Sequence, residues 1–303
     1  MTARRDRPGL LGFRISATDS AGIDWPTLEA TWSLAAELEV FDAGWMSDHL
    51  SDAGRDHGGG SLEALSTAAA LAPRGHGMWI GIAVVANTFR HPAVLAKAAT
   101  VLDHVTGGRF ILGIGAGWHQ GEHAQFGIPL PPPAERFDRL ESALKVITAL
   151  FPWTLATRRG LRSTIASIRF ETRPMSRHPS APEDRRSGLV GNDPGALRLA
   201  ARYAQGWPPP GNRSGDLPYF IKKRDALRRA MDELGRDSAA FTFAAQVDCG
   251  STSTERRAAR RLAISFVQAG ADHVILGTPG RLGPSGLAAV ATEVAEPICE
   301  MAP

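Results

Sequence analysis

Short apolar runs recur along the chain, separated by longer segments in which apolar residues follow a helical period. The runs are almost continuously apolar and do not alternate with polar residues, which is typical of strands in a parallel sheet covered on both faces. The predicted strands are 10–16, 43–47, 79–85, 110–115, 189–190, 207, 241–247 and 274–276.

The segments between these runs carry helix signals. Downstream of the prolines at 131–133, apolar residues recur at spacings of three and four as far as Phe151, which predicts an amphipathic helix. Pro92 and Pro194 suit the first turn of a helix, and Thr252 with Glu255 matches a capping box. The remaining predicted helices cover about 25–39, 62–72, 217–234 and 285–300.

Eight such strand–helix units follow one another in 303 residues. This alternation favours an α/β fold of the TIM-like (β/α)8 barrel type over an open doubly wound sheet, with residues 1–303 forming one domain. Residues 155–187 do not fit the pattern, because they are rich in Arg, Ser and Pro. We expect an irregular insertion over the barrel mouth, either a mobile lid or a solvated charged excursion.

The composition limits the class of protein. A hydrophobic content of 43% is enough for a large core, and the net charge of +3 comes from scattered charges of both signs, so no nucleic-acid partner is expected. No apolar run reaches the length of a membrane span, and no signal sequence follows the charged start. Two cysteines do not indicate a disulfide framework. We expect a cytoplasmic protein with no membrane partner.

The barrel prediction locates the site, because the carboxyl ends of all strands meet at one face and barrel sites lie there. Polar groups, glycines and two tryptophans follow the predicted strands, a combination that suits a flat heteroaromatic ligand with a polar tail. The residues at these strand ends are Ser16, Ser47, Asp48, His49, Ala86, Asn87, Thr88, Gly115, Ala116, Gly117, Trp118, Gly191, Asn192, Asp193, Trp207, Asp248, Cys249, Gly277 and Thr278.

His49 is the best candidate for chemistry among them. An imidazole titrates near neutrality and can donate or accept a proton beside a reacting centre. A purely structural histidine at a strand end is the alternative, but the position favours a catalytic one. For Asp48, next to it, a structural role in the local turn is the simpler interpretation.

Residues 119–123 match the His-x-x-Glu-His pattern of inverted zinc metallopeptidases. That chemistry needs a stable helix, whereas Gly117, Gly121 and the prolines that follow disfavour one. We therefore predict no metal site. These residues more simply turn the loop into the next helix, with His119 facing the pocket.

Several segments together resemble the bacterial luciferase-like monooxygenase superfamily. They include Trp-Met-Ser-Asp-His-Leu at 45–50, and the glycine-rich stretch with Trp118 is most similar to the branch that uses an 8-hydroxy-5-deazaflavin, coenzyme F420, in place of FMN. The resemblance covers most of the chain and is carried by residues 37–50, 87–92, 102–109, 110–127, 197–207 and 270–277.

This resemblance implies a TIM-like barrel with a flavin-type ring in its mouth and a homodimeric assembly. A non-prolyl cis peptide, by position Ala86-Asn87, would support the ring, and His49 would lie near the reacting atoms. The resemblance implies cofactor contacts at Ser47, Asp48, Ala86, Asn87, Gly115, Ala116, Gly117, Trp118, Gly191, Asn192 and Asp193. The expected substrate contacts are Phe13, Ser16, Trp118, His119 and Trp207.

The activity that the resemblance implies is hydride transfer between reduced F420 and a small organic substrate, with reduction of an imine or activated double bond preferred over alcohol oxidation. Sugar-phosphate dehydrogenases of the branch carry a glutamate where Trp118 stands, so that activity is not expected. Two alternatives stay open: an FMN-dependent monooxygenase that uses O2, and a barrel without catalysis that only binds a ligand, for which the carboxylate of Asp193 beside the phosphate position is the main argument.

Overall fold

The computed structural model describes residues 9–15, 23–51, 61–155 and 194–301, without the side chains of 151–155 and 194. The predicted strand at 189–190, the expected insertion beyond residue 155, Ser16 and the Gly191, Asn192 and Asp193 turn lie outside the described residues.

The sheet is parallel, with seven strands in the described part of the chain. The order is β4-β3-β2-β1-β7-β6-β5, and β1 pairs with both β2 and β7. Contact between the first and last strands is what a barrel requires, so the predicted TIM-like α/β class is confirmed. The strands are β1 Leu11–Ile15, β2 Ala43–Met46, β3 Trp79–Ala86, β4 Phe110–Gly115, β5 Gly206–Trp207, β6 Thr242–Asp248 and β7 His273–Thr278.

Helices follow the strands and cover the outside of the sheet. The capping box at Thr252 and Glu255 is present as predicted, and Asp24 caps the first helix by accepting from the Thr27 N–H. No helix in the described residues is long and apolar enough to cross a bilayer. The helices are α1 Trp25–Glu37, α2 Ala64–Leu71, α3 Pro92–Val105, α4 Gln120–Gln125, α5 Pro133–Leu155, α6 Pro194–Tyr203, α7 Leu217–Glu233, α8 Ser253–Gln268, α9 Gly283–Val290 and α10 Glu296–Cys299.

Trp45 lies inside the barrel, and glycines on neighbouring strands leave room for its indole ring. A Cβ on Gly12 would lie 2.7 Å from Trp45 Nε1, and one on Gly81 would overlap the Trp45 ring. The indole N–H donates to His273 Nε2 at 2.9 Å. His273 Nδ1 lies 2.6 Å from the Gly9 carbonyl oxygen, to which it donates. Because the Trp45 contact needs an unprotonated Nε2, His273 is neutral in the folded protein, and burial lowers its pKa.

Candidate functional site

A cavity of about 440 Å³ opens at the carboxyl ends of the strands, where the barrel prediction placed the site. It is lined by residues of β1, β3 and β6, by the loops after β2 to β5, and by α4. Three of its walls carry the argument below: the His49 and Glu122 pair, the β3 wall, and the Arg14 and Gln246 pair.

His49 is held by a buried carboxylate. Its Nδ1 lies 3.1 Å from Glu122 Oε2, and the Glu122 side chain is only 2% exposed, against 23% for His49. The backbone N–H groups of Leu50 and Ser51 donate to the other oxygen of Glu122. A carboxylate at Nδ1 makes this nitrogen the one that carries the proton of the neutral ring. His49 therefore presents Nε2 as its exchangeable position.

Glu122 is ionised in this setting. Burial alone would raise the pKa of its carboxyl, but hydrogen bonds from His49 and from the Leu50 and Ser51 N–H groups outweigh burial, and the net pKa lies below its usual value. A buried anion with three donors is both satisfied and fixed in place. The pair thus places an ionised carboxylate on Nδ1 of the His49 ring.

Trp118 and His119 lie beside this pair. The Trp118 ring meets His49 edge to face at 6.1 Å between centroids and meets His119 at 4.8 Å. His119 caps α4, because its Nδ1 accepts from the Glu122 N–H at 2.9 Å. Accepting at Nδ1 places the proton of neutral His119 on Nε2. Both Trp118 and His119 line the cavity, and their assignment as ligand contacts stays a prediction.

Asp48 lines the cavity next to Ser47, but its carboxylate is committed to the scaffold. Arg90 donates to both of its oxygens, at 2.6 and 2.7 Å, and the Ala86 N–H donates to Oδ2 at 2.9 Å. Arg90 also pairs with Glu63. These contacts join the end of β2 to the end of β3, which is a structural role but one that reaches beyond the local turn favoured from the sequence.

The wall from β3 contains a non-prolyl cis peptide bond, between Ala83 and Val84. The predicted position, Ala86-Asn87, is wrong. The β3–β4 register shifts between Ile82 and Val85, so the irregularity falls inside the strand, whereas the apolar run indicated only where the strand ends. Ala83, Val84 and Ala86 all line the cavity.

The loop after β4 turns into the cavity at Gly117. Its φ is +81°, and a Cβ there would run into the Thr88 side chain, so the position requires glycine. Arg136 lies on α5, and its guanidinium donates to the Gly117 carbonyl oxygen. Thr88 Oγ1 in turn lies 2.7 Å from His123 Nε2. Gly117 and Trp118 are therefore held in place at the cavity edge.

Other predicted contacts lie elsewhere. Phe13 is fully buried on the outer face of the sheet, against Trp32 and Phe41, so its assignment to the substrate is wrong. Trp207 stacks on Phe220 in the core. It lines a smaller apolar cavity of about 100 Å³ together with Gly115 and Ala116. The structure does not place these three, or Asn87, on the main cavity.

Several residues that line the cavity were not assigned to it from the sequence, and three of them, Arg14, Glu122 and Gln246, carry the argument below. Glu122 was considered only as part of a zinc pattern. Within the described residues, no group of three His, Cys, Asp or Glu side chains could hold a metal ion. Arg14 and Gln246 were hidden inside apolar strand runs. A charged or amide side chain within such a run is the available signal, since burying one without a purpose is costly.

Comparison with known proteins agrees with this architecture. The luciferase-like monooxygenase family model matches residues 10–292. An F420-dependent glucose-6-phosphate dehydrogenase of Microbacterium testaceum is 31% identical over 206 residues, covering 68% of this chain and 58% of that enzyme. A phthiodiolone/phenolphthiodiolone dimycocerosates ketoreductase of Mycobacterium bovis is 31% identical over 242 residues, covering 73% of this chain and 60% of that enzyme. The chain therefore spans less than two thirds of the length of these relatives.

Solved structures show the same fold. An F420-dependent secondary alcohol dehydrogenase in complex with an F420-acetone adduct superposes with a TM-score of 0.68 at 17% identity, covering 96% of this chain and 99% of that one. A coenzyme F420 dependent tetrahydromethanopterin reductase from Methanopyrus kandleri gives 0.63 at 17% identity, with the same coverage. At such identities the likeness concerns the fold alone. Because the family model covers nearly the whole chain, this protein belongs to the luciferase-like monooxygenase family.

Proposed function

We propose that the protein is an oxidoreductase that transfers a hydride between coenzyme F420 and a small organic substrate, with reduction of an imine or activated double bond preferred. The curated relatives named above support the cofactor, since the 31% identical dehydrogenase carries F420 in its name. The observation that carries the proposal is the His49 and Glu122 pair at the mouth of the barrel.

The residues present fit a flat ring. Ala83, Val84 and Ala86 give the β3 wall small side chains, and Trp118 adds an aromatic surface. Ser47 and the Gly117 backbone would hold polar edges of the ring. For the phosphate-bearing tail, α6 begins at Pro194, and the positive end of a helix dipole favours an anion. This supports our assignment of the tail to Gly191, Asn192 and Asp193.

In the proposed mechanism the protein supplies orientation and one proton. A reduced 5-deazaflavin supplies the hydride when bound. His49 holds the proton on Nε2 that the substrate heteroatom or carbon receives, while Nδ1 stays bonded to Glu122. The negative charge of Glu122 stabilises the protonated ring before transfer. Trp118 and His119 exclude water and shape the substrate side of the cavity.

Glucose 6-phosphate is not the substrate we propose. Trp118 stands where the resemblance puts a glutamate in sugar-phosphate dehydrogenases, and an indole offers one donor and no acceptor for a sugar hydroxyl. Its half-exposed apolar face suits an organic substrate with an apolar body. Sequence identity to glucose-6-phosphate dehydrogenases therefore supports the cofactor more than the substrate.

The experiment is anaerobic incubation of the protein with coenzyme and substrate, following the absorbance of the coenzyme. Cyclic imines, enones and ketones are each tested with reduced F420. Glucose 6-phosphate is tested with oxidised F420. We expect turnover with imines or enones that depends on His49. Turnover with reduced FMN and O2, and none with F420, would favour the monooxygenase alternative. Binding without any turnover on the panel would favour a ligand-binding barrel.

We also propose that the protein forms a homodimer through α3. Val94, Val101 and Val105 are 62%, 56% and 49% exposed, and with Ala98 they follow one face of the helix at spacings of three and four. An apolar stripe of this kind suits a second copy of the chain. Val101→Glu should convert a dimer to a monomer in analytical ultracentrifugation, whereas Lys222→Glu, at an exposed position of α7, should not.

A cytoplasmic location is also part of the proposal. The described cysteines, Cys249 and Cys299, are free thiols, which suits a reducing compartment. Cell fractionation tests it.

A further inference from the structure

Arg14 projects into the cavity from near the carboxyl end of β1. Its Nη1 donates to Gln246 Oε1 at 2.5 Å, and its Nη2 donates to Asp248 Oδ1 at 2.7 Å. Among the described residues that line the cavity, Arg14 is the one permanent cation, because the acids Asp48 and Glu122 and three histidines make up the other titratable groups. A guanidinium has five N–H donors, so these two contacts leave donors for a ligand.

Gln246 is buried at 3% exposure and both ends of its amide are used. Its Oε1 accepts from Arg14, and its Nε2 donates to the Pro209 carbonyl oxygen at 2.5 Å. This amide therefore ties the guanidinium to β6 and to the loop after β5. At this position inside the barrel, burial of an apolar side chain would cost less free energy than burial of an amide. We therefore attribute the presence of Gln246 to its hydrogen bond with Arg14.

Gly277 leaves room for the Arg14 guanidinium. Gly277 on β7 lies between β1 and β6, and a Cβ there would clash with Asp248 Oδ1 and lie 3.1 Å from Arg14 Nη2. On the other side, Pro208, Pro209 and Pro210 form a wall that donates no backbone N–H. An anion entering this part of the cavity meets the Arg14 guanidinium as its charged donor.

We propose that Arg14, oriented by Gln246, binds a carboxylate of the substrate, so that the organic substrate of the proposed reaction is a carboxylic acid. A carboxylate matches the planar fork of a guanidinium. The carboxylate of Asp248, whose side chain is 61% exposed, repels a phosphate dianion more strongly than a carboxylate monoanion. The part of this inference that concerns the reaction rests on the proposed function, whereas the binding of a carboxylate by Arg14 does not depend on it.

The test uses three ligands of similar shape: benzoate, benzamide and phenyl phosphate. Isothermal titration calorimetry on the whole protein without coenzyme measures their affinities for the wild type and for Arg14→Met, Arg14→Lys and Gln246→Leu. Arg74→Met, which removes a surface arginine paired with Glu29, is the control for net charge. Thermal melting verifies that each variant is folded.

We expect benzoate to bind the wild type and Arg74→Met equally, and more tightly than benzamide or phenyl phosphate. Arg14→Met should weaken benzoate binding about tenfold or more, and Arg14→Lys and Gln246→Leu should lie in between. If Arg14→Met does not fold, the result for Arg14→Lys decides. Absence of benzoate binding, binding that does not depend on Arg14, or a preference for phenyl phosphate would overturn the proposal.

Titration of the same variants with F420 separates this inference from the proposed function. We expect the affinity for F420 to be unchanged in Arg14→Met. If Arg14→Met loses F420 and keeps benzoate, Arg14 belongs to the coenzyme site and the inference fails while the proposed function stands. If no variant or wild type binds F420 but benzoate binding depends on Arg14, the inference stands and the proposed function fails.

Discussion

Glu122 Oε2 lies 3.1 Å from His49 Nδ1 although the two residues are far apart in sequence. Two backbone N–H groups next to His49 donate to the same carboxylate. Glu122 therefore fixes both the side chain and the backbone of the loop after β2. This relationship turns a histidine at a strand end into one with a defined tautomer.

Glu122→Gln should reverse that tautomer. The amide oxygen can still accept from the Leu50 and Ser51 N–H groups, but the amide NH2 offers His49 Nδ1 a donor in place of an acceptor. We expect turnover to fall by about tenfold or more with little change in F420 affinity, and ¹⁵N NMR of the ring to report the proton on Nε2. Glu135→Gln, an exposed partner of Arg139, is the matched control. Unchanged turnover in Glu122→Gln would remove Glu122 from a positioning role.

Substitution of Arg90 should lower the free energy of unfolding more than substitution of Glu63, the second carboxylate that Arg90 contacts. Arg90→Met leaves the Asp48 carboxylate, which is 0% exposed, without its cation, and we expect a loss of about 3 kcal/mol in the free energy of unfolding. Glu63 is 37% exposed, so Glu63→Gln should cost about 1 kcal/mol or less. Urea denaturation measures both. Equal losses of unfolding free energy in Arg90→Met and Glu63→Gln would contradict the central place of Asp48 in this network.

His273 should make the protein less stable in mild acid. Its folded pKa lies below the usual value of 6.5, so the unfolded chain takes up a proton that the folded protein refuses. The contribution is present above pH 6.5 and is lost as the pH falls below it. His273→Gln should therefore flatten the loss of stability between about pH 7.5 and 5.5, and His104→Gln, exposed on α3, should not. Parallel curves for the wild type and His273→Gln would show that folding does not lower the pKa of His273.

Gly12 should not tolerate a side chain. An alanine Cβ would lie 2.6 Å from His273 Nε2 and 2.7 Å from Trp45 Nε1, and overpacking of this kind costs about 1–3 kcal/mol. At Gly75 the nearest atom to a new Cβ is 3.5 Å away, so Gly75→Ala should be neutral or stabilising by up to about 1 kcal/mol. Thermal unfolding compares the two. A neutral Gly12→Ala would show that Trp45 can move within the barrel.

Much of the fold could be predicted because buried strands and amphipathic helices have different periods. The apolar runs at 43–47 and 110–115 correspond to β2 and β4 within a residue, and strand-end geometry brought His49 and Trp118 to one cavity. The short helix α4 was not predicted, because two glycines and a turn of six residues give no periodic signal.

The errors have a common physical cause. On a strand, neighbouring side chains point to opposite faces, and an apolar run does not reveal which residues face inward. Phe13 was assigned to the site, whereas Arg14, its neighbour, points there. The register shift that puts the cis bond at Ala83-Val84 depends on pairing with β4, which no local pattern encodes. Glu122 reaches His49 only because β2, β3 and β4 lie side by side in the sheet.

The most direct test of the proposed function is a comparison of two coenzymes. The purified protein should be titrated with oxidised F420 and with FMN, following the fluorescence of each. We predict a dissociation constant for F420 in the micromolar range or below, weaker binding of FMN, and retained F420 affinity in His49→Ala. Failure of F420 to bind at micromolar concentrations, or tighter binding of FMN, would contradict the account.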